Sequence, residues 1–264
     1  MIFCKARSEL ETMHEANQIV ARVLRHLGTL IRPGVTTGEL DRVAEDLIRE
    51  SGGTPAFKGY QGFPASVCAS VNDEIVHGIP GKRVLREGDI LSLDVGVCLD
   101  GLYGDSAWTF PVGEVDPELS LLMDVTRESL FHGIEQVRVG NRVSDISAAV
   151  QSWVEKHGFS VVRQFVGHGI GKSLHEDPQV PNYGKPGRGP RLLEGMVLAI
   201  EPMVNSKGPE ARILEDHWTA VTVDGGYSAH FEHSVAVTSN GPWILSQLDR
   251  TREGAGDVSA KRRG

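Results

Sequence analysis

The sequence has few cysteines and no long apolar segment. Its three cysteines, Cys4, Cys68 and Cys98, are odd in number and scattered among 264 residues. They match neither a disulfide framework nor a zinc-ribbon spacing, which favours a reducing compartment. No apolar run reaches the ~18 residues that a membrane-spanning helix needs, and the first residues do not resemble a signal peptide. We therefore expect a cytoplasmic protein with no membrane partner.

Basic charge is also scarce. Lys and Arg number 27 against 35 Asp and Glu, which gives a net charge of −8 and a pI of about 5.7. Such a chain has no overall positive field to collect nucleic acid, and the basic run at 261–263 is too short to change this. From residue 250 the chain is polar, charged and glycine-rich, so we predict a disordered tail over 250–264.

Four stretches have the apolar spacing of amphipathic helices. Capping-box patterns at 8–11 and 36–39 predict where the first two begin. Asp116-Pro117 predicts the start of the third, because aspartate caps helices and proline favours the first helical position. Ser144 is the predicted cap of the fourth. Strand-like segments lie between and after these helices, which predicts a mixed fold.

One predicted hairpin carries two aspartates. Residues 91–97 alternate between apolar and small or polar side chains, which is typical of a half-buried strand. Asp100-Gly101 then forms a hairpin turn signal. Such a hairpin can place Asp94 and Asp105 nearly opposite each other, with Cβ atoms roughly 5 Å apart. The two carboxylates either share a divalent cation, which relieves their repulsion, or lie solvated on an exposed sheet face.

An internal repeat favours the shared site. Residues 31–40 match 137–146 at an offset of 106, and 87–94 match 194–201 at an offset of 107. Between these segments, His77-Gly78-Ile79 is similar to His168-Gly169-Ile170. Three matches in one order predict two related halves, about 8–112 and 113–249, packed around a pseudo-twofold axis. Asp94 and Glu201 would then face a common cleft from equivalent places.

Charge balance predicts two metal ions in that cleft. Glu232 lies in an alternating segment that we expect to be a strand, and His168 lies in a glycine-flanked turn. With Asp94, Asp105 and Glu201 they supply four carboxylates and one imidazole. This is too much negative charge for one buried ion, whereas two divalent ions balance it. The donor set suits Co, Fe, Mn or Zn without choosing among them.

With these residues in these positions, the chain resembles the bacterial type I methionine aminopeptidases of peptidase family M24. The resemblance covers about residues 8–247, and its motifs are specific only in combination. They are Ser70-Val71-Asn72-Asp73-Glu74-Ile75-Val76-His77-Gly78-Ile79-Pro80, Asp94-Val95-Gly96 with Gly104-Asp105, Gly167-His168-Gly169-Ile170-Gly171 with His175-Glu176, Ile200-Glu201-Pro202-Met203, and Phe231-Glu232-His233.

The resemblance implies an α+β pita-bread fold. In it two pseudo-twofold-related halves form a central antiparallel sheet with helices on its outer face, as a single catalytic domain over 1–249. It also implies that two divalent metals are ligated by Asp94, Asp105, His168, Glu201 and Glu232. Asp105 and Glu232 would bridge the two ions.

The resemblance further assigns substrate contacts. His77 and His175 would be unligated and touch the substrate, while Trp218 and the wall of Tyr60, Phe63 and Cys68 would line an apolar pocket. The chain departs from the family at four positions, so the pocket's shape stays open: Phe57, Leu174, His217 and His230. His230 lies two residues before Glu232, on the same face, and either braces a ligand or has no part in the site.

The implied reaction is removal of the N-terminal methionine from nascent polypeptides with a small second residue. A hydroxide activated by two metals would attack the scissile carbonyl. Glu201 would accept a proton from the attacking water and return it to the leaving amine. His175 would stabilise the oxyanion, and His77 would hydrogen-bond to the substrate backbone at the scissile nitrogen. We expect a cytoplasmic monomer, with ribosome association left open and no specific nucleic-acid partner.

Two other functions are considered. An X-Pro aminopeptidase or prolidase would share the fold, but those enzymes usually carry an extra N-terminal domain, for which this chain has no room. A metal-free binding protein on the same fold would lose ligands, and all five predicted ligands are present in this sequence.

Overall fold

The computed structural model of the chain describes residues 2–249; the predicted tail over 250–264 lies outside them. The helices are α1 (Arg7–Leu30), α2 (Thr37–Glu50), α3 (Pro117–Ile134) and α4 (Val143–Lys156). The strands are β1 (Thr54–Pro55), β2 (Val67–Val71), β3 (Glu74–Val76), β4 (Ile90–Leu99), β5 (Leu102–Pro111), β6 (Ser160–Val161), β7 (Gly167–Gly169), β8 (Glu176–Val180), β9 (Val197–Ile200), β10 (Met203–Asn205), β11 (Ala211–Ile213), β12 (Ala220–Thr222), β13 (Ser228–His230), β14 (His233–Thr238) and β15 (Gly241–Ile244).

Two of the four predicted helix starts are confirmed. The Thr36 hydroxyl accepts from the Glu39 N–H at 3.2 Å, and the Glu39 carboxylate accepts from the Thr36 N–H at 2.7 Å, as the capping box before α2 requires. Before α3, the Asp116 carboxylate accepts from the Glu118 N–H at 2.8 Å. Proline occupies the first position of α3, where its missing N–H costs nothing.

The other two predicted starts are wrong. α1 begins at Arg7 because the Glu9 carboxylate, and not a box at 8–11, accepts from the Ala6 N–H. α4 begins at Val143 because the Asp145 carboxylate accepts from the Arg142 N–H. In each case the carboxylate of an acidic residue in the first turn accepts a hydrogen bond from the backbone N–H three residues earlier.

The internal repeat is visible in the backbone. Helices α2 and α4 each have 14 residues. Before α2, the Gly34 N–H donates to the carbonyl of Leu85 at 2.9 Å, and before α4, the Gly140 N–H donates to that of Leu192 at 3.0 Å. Both glycines have a φ near +90°, a conformation that glycine adopts without strain. The matched sequence segments thus make matched contacts.

All strand pairs within residues 2–249 are antiparallel. One large sheet has the order β1-β4-β2 with β5 beside β4, and the other has the order β15-β14-β9-β7-β8. The first sheet meets the second half of the chain along β5, where the N–H of Glu232, between β13 and β14, donates to the Ala107 carbonyl at 2.9 Å. The Thr109 hydroxyl donates to the His230 carbonyl at 2.7 Å. These bonds join the two halves into one central layer.

The helices cover this layer with apolar side chains. α1 and α2 bury their apolar faces against β4, in a cluster that includes Leu27, Ile48 and Leu93. α3 and α4 bury theirs in a second cluster with β9 and β14. Burying such side chains contributes about 1.5–3 kcal/mol each. No helix within 2–249 is both long and apolar enough to cross a membrane.

Candidate metal centre and active site

The predicted hairpin is present, with a register that differs from the expected one. Asp100 and Gly101 both have positive φ, 50° and 79°, in a two-residue turn between β4 and β5. Asp94 pairs with Ala107, while Asp105 pairs with Gly96. The two aspartates are therefore diagonal neighbours on one face and not directly opposite, because the turn fixes the register two residues away from the expected pairing.

Glu232 reaches the aspartates through an interruption in the strand. The alternating segment is not continuous: β13 ends at His230 and β14 begins at His233, so the predicted strand through Glu232 is wrong. The Glu232 N–H bonds to Ala107, the residue paired with Asp94. The break lets the chain leave β10 and join β5, which places the Glu232 carboxylate beside the aspartates.

His168 and Glu201 come from neighbouring strands of the other half. His168 lies on β7 and not in a turn as predicted, and it pairs with Ala199 of β9. Its Nδ1 is 2.9 Å from the Gly169 carbonyl oxygen. Its Nε2 therefore faces the cleft, 3.5 Å from Glu201 Oε1. Glu201 directly follows β9, and the Asn182 amide donates to its carbonyl at 2.9 Å.

These side chains form a donor set that fits divalent cations. One ligand atom each of Asp105, His168 and Glu232 can be chosen so that all three lie within 4.8 Å of one another. Among residues 2–249, one buried oxygen each of Asp94, Asp105 and Glu232 has no hydrogen-bond partner. Buried carboxylate oxygens normally have partners. Oxygen-rich donors with one imidazole, aimed at a common space, are what such ions bind.

Burial dominates the electrostatics of the site. It raises the pKa of Asp94 to about 7. Burial, followed by the charges of the neighbouring carboxylates, also raises the pKa values of Asp105, Glu201 and Glu232. Burial lowers the pKa of His168 to about 3, so the imidazole is neutral and available as a ligand. Bound cations would offset the mutual repulsion of the carboxylates.

Every predicted site residue lines a single cleft of about 310 Å³. It is lined by Phe57, Tyr60, Gln61, Phe63, Cys68, His77, Asp94, Asp105, His168, Leu174, His175, Glu201, Trp218 and Glu232. Gln61 is the one member that the sequence did not suggest. Gln61 lies in the short turn that follows Gly59, and its own φ is +49°. No periodic sequence pattern predicts that a residue in such a turn lines a cleft.

The polar donors lie next to an apolar wall. Phe63 and Trp218 meet edge to face with ring centroids 5.1 Å apart, and Phe63, Cys68 and Leu174 are buried in one apolar cluster. Burial raises the pKa of Cys68 well above its usual value, so its thiol acts as a small apolar group. The wall can hold an unbranched apolar side chain beside the donors.

Two histidines flank the donor set without belonging to it. His77 has φ +61°, and its ring packs edge-on against Phe165 at 5.5 Å. His175 lies at the exposed rim, with its ring 4.2 Å from that of His168. The Tyr60 hydroxyl is 2.8 Å from Nδ1 of His175. Both histidines thus face the cleft in fixed orientations.

The remaining departures from the family pattern lie at different distances from the cleft. His217 is exposed with φ +64° and is not among the lining residues. His233, next to Glu232 in the chain, does not line the cleft, and its Nδ1 lies 2.7 Å from the Ser246 hydroxyl. His230 is buried behind the donors, with Nε2 3.8 Å from Glu201 Oε2.

Comparison with known proteins agrees with this geometry. The model of metallopeptidase family M24 matches residues 11–239. The chain is 54% identical to methionine aminopeptidase 1 of Bacillus subtilis over 94% of its own length and 100% of that protein. It is equally similar, with the same coverage, to the methionine aminopeptidase of Clostridium perfringens.

Solved structures confirm the predicted α+β pita-bread fold. The crystal structure of methionine aminopeptidase from Thermotoga maritima superposes with a TM-score of 0.92 at 48% identity and covers 94% of this chain and 100% of that one. The prolidase from Pyrococcus furiosus has a TM-score of 0.77 at 20% identity, and the matched region is 66% of that chain. It shares the fold alone. The family's description and the donor set together indicate a metal-dependent hydrolase. The chain therefore belongs to metallopeptidase family M24, in its group of methionine aminopeptidases.

Proposed function

We propose that this enzyme removes the N-terminal methionine from nascent proteins and peptides whose second residue is small. One observation carries the proposal: a single cleft is lined by a buried cluster of metal donors, by an apolar wall and by His77 and His175. The identity to methionine aminopeptidases over the whole catalytic region supports the same substrate. The prolidase-like alternative has only the shared fold in its favour.

We propose that two divalent ions, Co, Fe, Mn or Zn, are held by five side chains. The side chains that would hold them are those of Asp94, Asp105, His168, Glu201 and Glu232. Three buried oxygens without partners among the described residues support this assignment. When bound, the ions supply Lewis acidity and lower the pKa of water so that a hydroxide nucleophile is available at neutral pH.

The chain's own residues supply the proton transfers and the orientation. Glu201 is proposed to accept a proton from the attacking water and to deliver it to the leaving amine, since its carboxylate lies at the edge of the donor set beside His168. His175 is proposed to donate a hydrogen bond to the developing oxyanion. His77 is proposed to hold the backbone at the scissile nitrogen.

The apolar wall sets the side-chain preference. Tyr60, Phe63, Cys68 and Trp218 are proposed to contact the methionine side chain, with Phe57 and Leu174 completing the pocket in this chain. A flexible thioether fits such a wall well, since it fills irregular apolar spaces and contacts aromatic rings favourably. A charged first residue would lose its hydration there without a partner.

The setting of the reaction is part of the proposal. Residues 1–249 are proposed to act as one catalytic domain, in the form of a monomer in the cytoplasm. N-terminal methionines become available there on chains that leave the ribosome, and ribosome association stays open.

A peptide panel tests the function. Metal-loaded protein is incubated with the tripeptides Met-Ala-Ser, Met-Lys-Ser and Ala-Pro-Ser, and released amino acids are measured by mass spectrometry. We expect free methionine from Met-Ala-Ser, much less from Met-Lys-Ser, and no alanine from Ala-Pro-Ser. Release of alanine before proline would favour the X-Pro activity, and no release from any peptide would contradict an aminopeptidase.

Two variants link that activity to the cleft. Glu201→Gln keeps the size of the side chain and removes its negative charge, and we expect at least a 100-fold loss of kcat. Glu215→Gln makes the same change at an exposed position outside the cleft and serves as the control. Near-normal turnover by Glu201→Gln would contradict the role of Glu201.

A further inference from the structure

His230 is a buried histidine whose ring nitrogen Nε2 lacks a hydrogen-bond partner in the part of the chain that the structure describes. The residue is 2% exposed. Its backbone is fixed on both sides by Thr109, whose Oγ1 accepts from the His230 N–H at 2.9 Å and donates to the His230 carbonyl at 2.7 Å. Among residues 2–249, nothing lies within hydrogen-bond distance of its buried Nε2.

That nitrogen faces Glu201. Nε2 of His230 is 3.8 Å from Glu201 Oε2, while Nε2 of His168 is 3.5 Å from Glu201 Oε1. The Glu201 carboxylate thus lies between two imidazoles, one at each oxygen. The distance from His230 is a few tenths of an ångström beyond a hydrogen bond, so a small shift of the carboxylate closes it.

A buried polar atom without a partner destabilises a folded protein, because its hydration is lost and not replaced. A leucine at position 230 would avoid this cost, since it has no polar atom to satisfy. Side chains that weaken the fold and face a functional group are typical of sites whose geometry serves binding rather than stability.

We propose that His230 is a positioning residue that donates its Nε2 hydrogen to Glu201 Oε2 and so fixes the orientation of this carboxylate for metal binding and proton transfer. Partners of this kind, behind a ligand, typically change metal affinity by about 10- to 100-fold. The proposal rests on the role given to Glu201 under the proposed function.

The test compares three variants of the full chain. His230→Leu removes the donor, and His230→Gln keeps an N–H donor on a side chain of similar reach. His26→Leu makes the first change at an exposed histidine on α1 and serves as the control. Binding of Mn²⁺ to each metal-free protein is measured by titration calorimetry, and the melting temperature of each metal-free protein by calorimetric scanning.

We expect His230→Leu to melt at or above the wild-type temperature without metal and yet to bind Mn²⁺ about 10-fold more weakly. His230→Gln should bind within about 2-fold of wild type, as should His26→Leu. A residue that only fills space would give the opposite pattern, a lower melting temperature with unchanged affinity. Unchanged affinity in His230→Leu, or His230→Gln as weak as His230→Leu, would overturn the proposal. If His230→Leu does not fold, His230→Met takes its place with the same expectations.

The experiments distinguish a failure of the proposed aminopeptidase function from a failure of the positioning role of His230. If wild-type protein releases no methionine from Met-Ala-Ser, the proposed function fails, while the Mn²⁺ affinities still decide the role of His230. If wild-type protein is active and all variants bind Mn²⁺ alike, the positioning role alone fails. At saturating Mn²⁺ the active enzyme should lose kcat in His230→Leu with little change in KM, because the lost contact acts on Glu201 and not on the peptide.

Discussion

The hydroxyl oxygen of Tyr60 lies 2.8 Å from Nδ1 of His175, and their ring centroids are 5.3 Å apart. When the hydroxyl donates this hydrogen bond, the ring proton of a neutral His175 is on Nε2, which then serves as a donor within the cleft. Tyr60 stands in a short turn between Gly59 and Gly62, both with positive φ. The turn thus places a hydroxyl that holds the exposed His175 ring in one orientation.

Replacing Tyr60 with phenylalanine should lower kcat about 10-fold and change KM little. The phenyl ring keeps the apolar contact with the methionine side chain, while the loss of the hydroxyl frees the His175 ring to rotate. An interaction made only in the transition state affects kcat in this way, and a 10-fold loss corresponds to about 1.4 kcal/mol. Steady-state kinetics on Met-Ala-Ser provide the measurement. A raised KM with normal kcat would show that Tyr60 only binds substrate.

Substituting Gly169 with alanine should displace His168 and weaken metal binding. A Cβ at Gly169 would lie within 2.2 Å of the Asp177 carbonyl oxygen, and this neighbour is backbone, which cannot turn away. We expect a destabilisation of about 1–3 kcal/mol together with a lower Mn²⁺ content after dialysis against limiting metal. Chemical denaturation and atomic absorption measure the two effects.

Gly81→Ala is the matched control for that variant. A Cβ at Gly81 meets nothing within 4 Å, and its backbone does not have a positive φ. It should retain wild-type stability and Mn²⁺ content. If Gly169→Ala behaved like Gly81→Ala, the close approach of β7 to the chain at Asp177 would not matter for the site.

Metal binding should stabilise the fold, and the gain in stability should fall when one of the proposed carboxylate ligands is removed. With ion at 100 times its Kd, the gain is about 2.7 kcal/mol, or roughly 5–11 °C in melting temperature for a domain of this size. Asp105→Asn removes one negative charge from the crowded cluster, so the metal-free variant should melt above the metal-free wild type. Calorimetric scans with and without Mn²⁺ should show a much smaller gain in the variant. An undiminished gain would exclude Asp105 from the ligand set.

Lowering the pH should remove the contribution that Glu45 on α2 makes to the free energy of unfolding. Its carboxylate bonds to Lys58 at 2.6 Å and to Arg49 at 2.8 Å. These contacts, Lys58 first, lower its pKa from 4.5 to about 2. Because the folded pKa is depressed, the ionised contact stabilises fully above pH 4.5 and is lost as the pH falls toward 2.

The measurement is the difference in unfolding free energy between wild type and Glu45→Gln. We expect on the order of 1 kcal/mol at pH 7, since solvent screens these partly exposed pairs, and a smaller difference at pH 3. Urea denaturation at both pH values determines it. A difference that stays constant or grows in acid would contradict the assignment.

Much of the site could be predicted from the sequence because each donor stands in a local pattern. Asp100-Gly101 specifies a two-residue turn, and the internal repeat pairs Asp94 with Glu201 whatever the details of packing. All eleven predicted site residues line one cleft. The local patterns supplied the metal donors, and the family resemblance supplied the substrate contacts.

The local geometry depended on contacts between distant segments. The register of Asp94 against Ala107 is the exception, since the local two-residue turn at Asp100-Gly101 fixes it. The break at Glu232 exists because its N–H bonds to β5, more than 120 residues away in the chain. Helix α1 continues through Gly28 to Leu30, and this glycine makes room for the Phe110 ring, a contact that helical periodicity does not show.

Anomalous diffraction from crystals loaded with Mn²⁺ tests most directly the central claim that five side chains of this cleft hold two ions. The account predicts two anomalous peaks, both contacted by Asp105 and Glu232, one also by Asp94 and the other by His168 and Glu201. A single peak after saturation, or peaks away from these side chains, would contradict it.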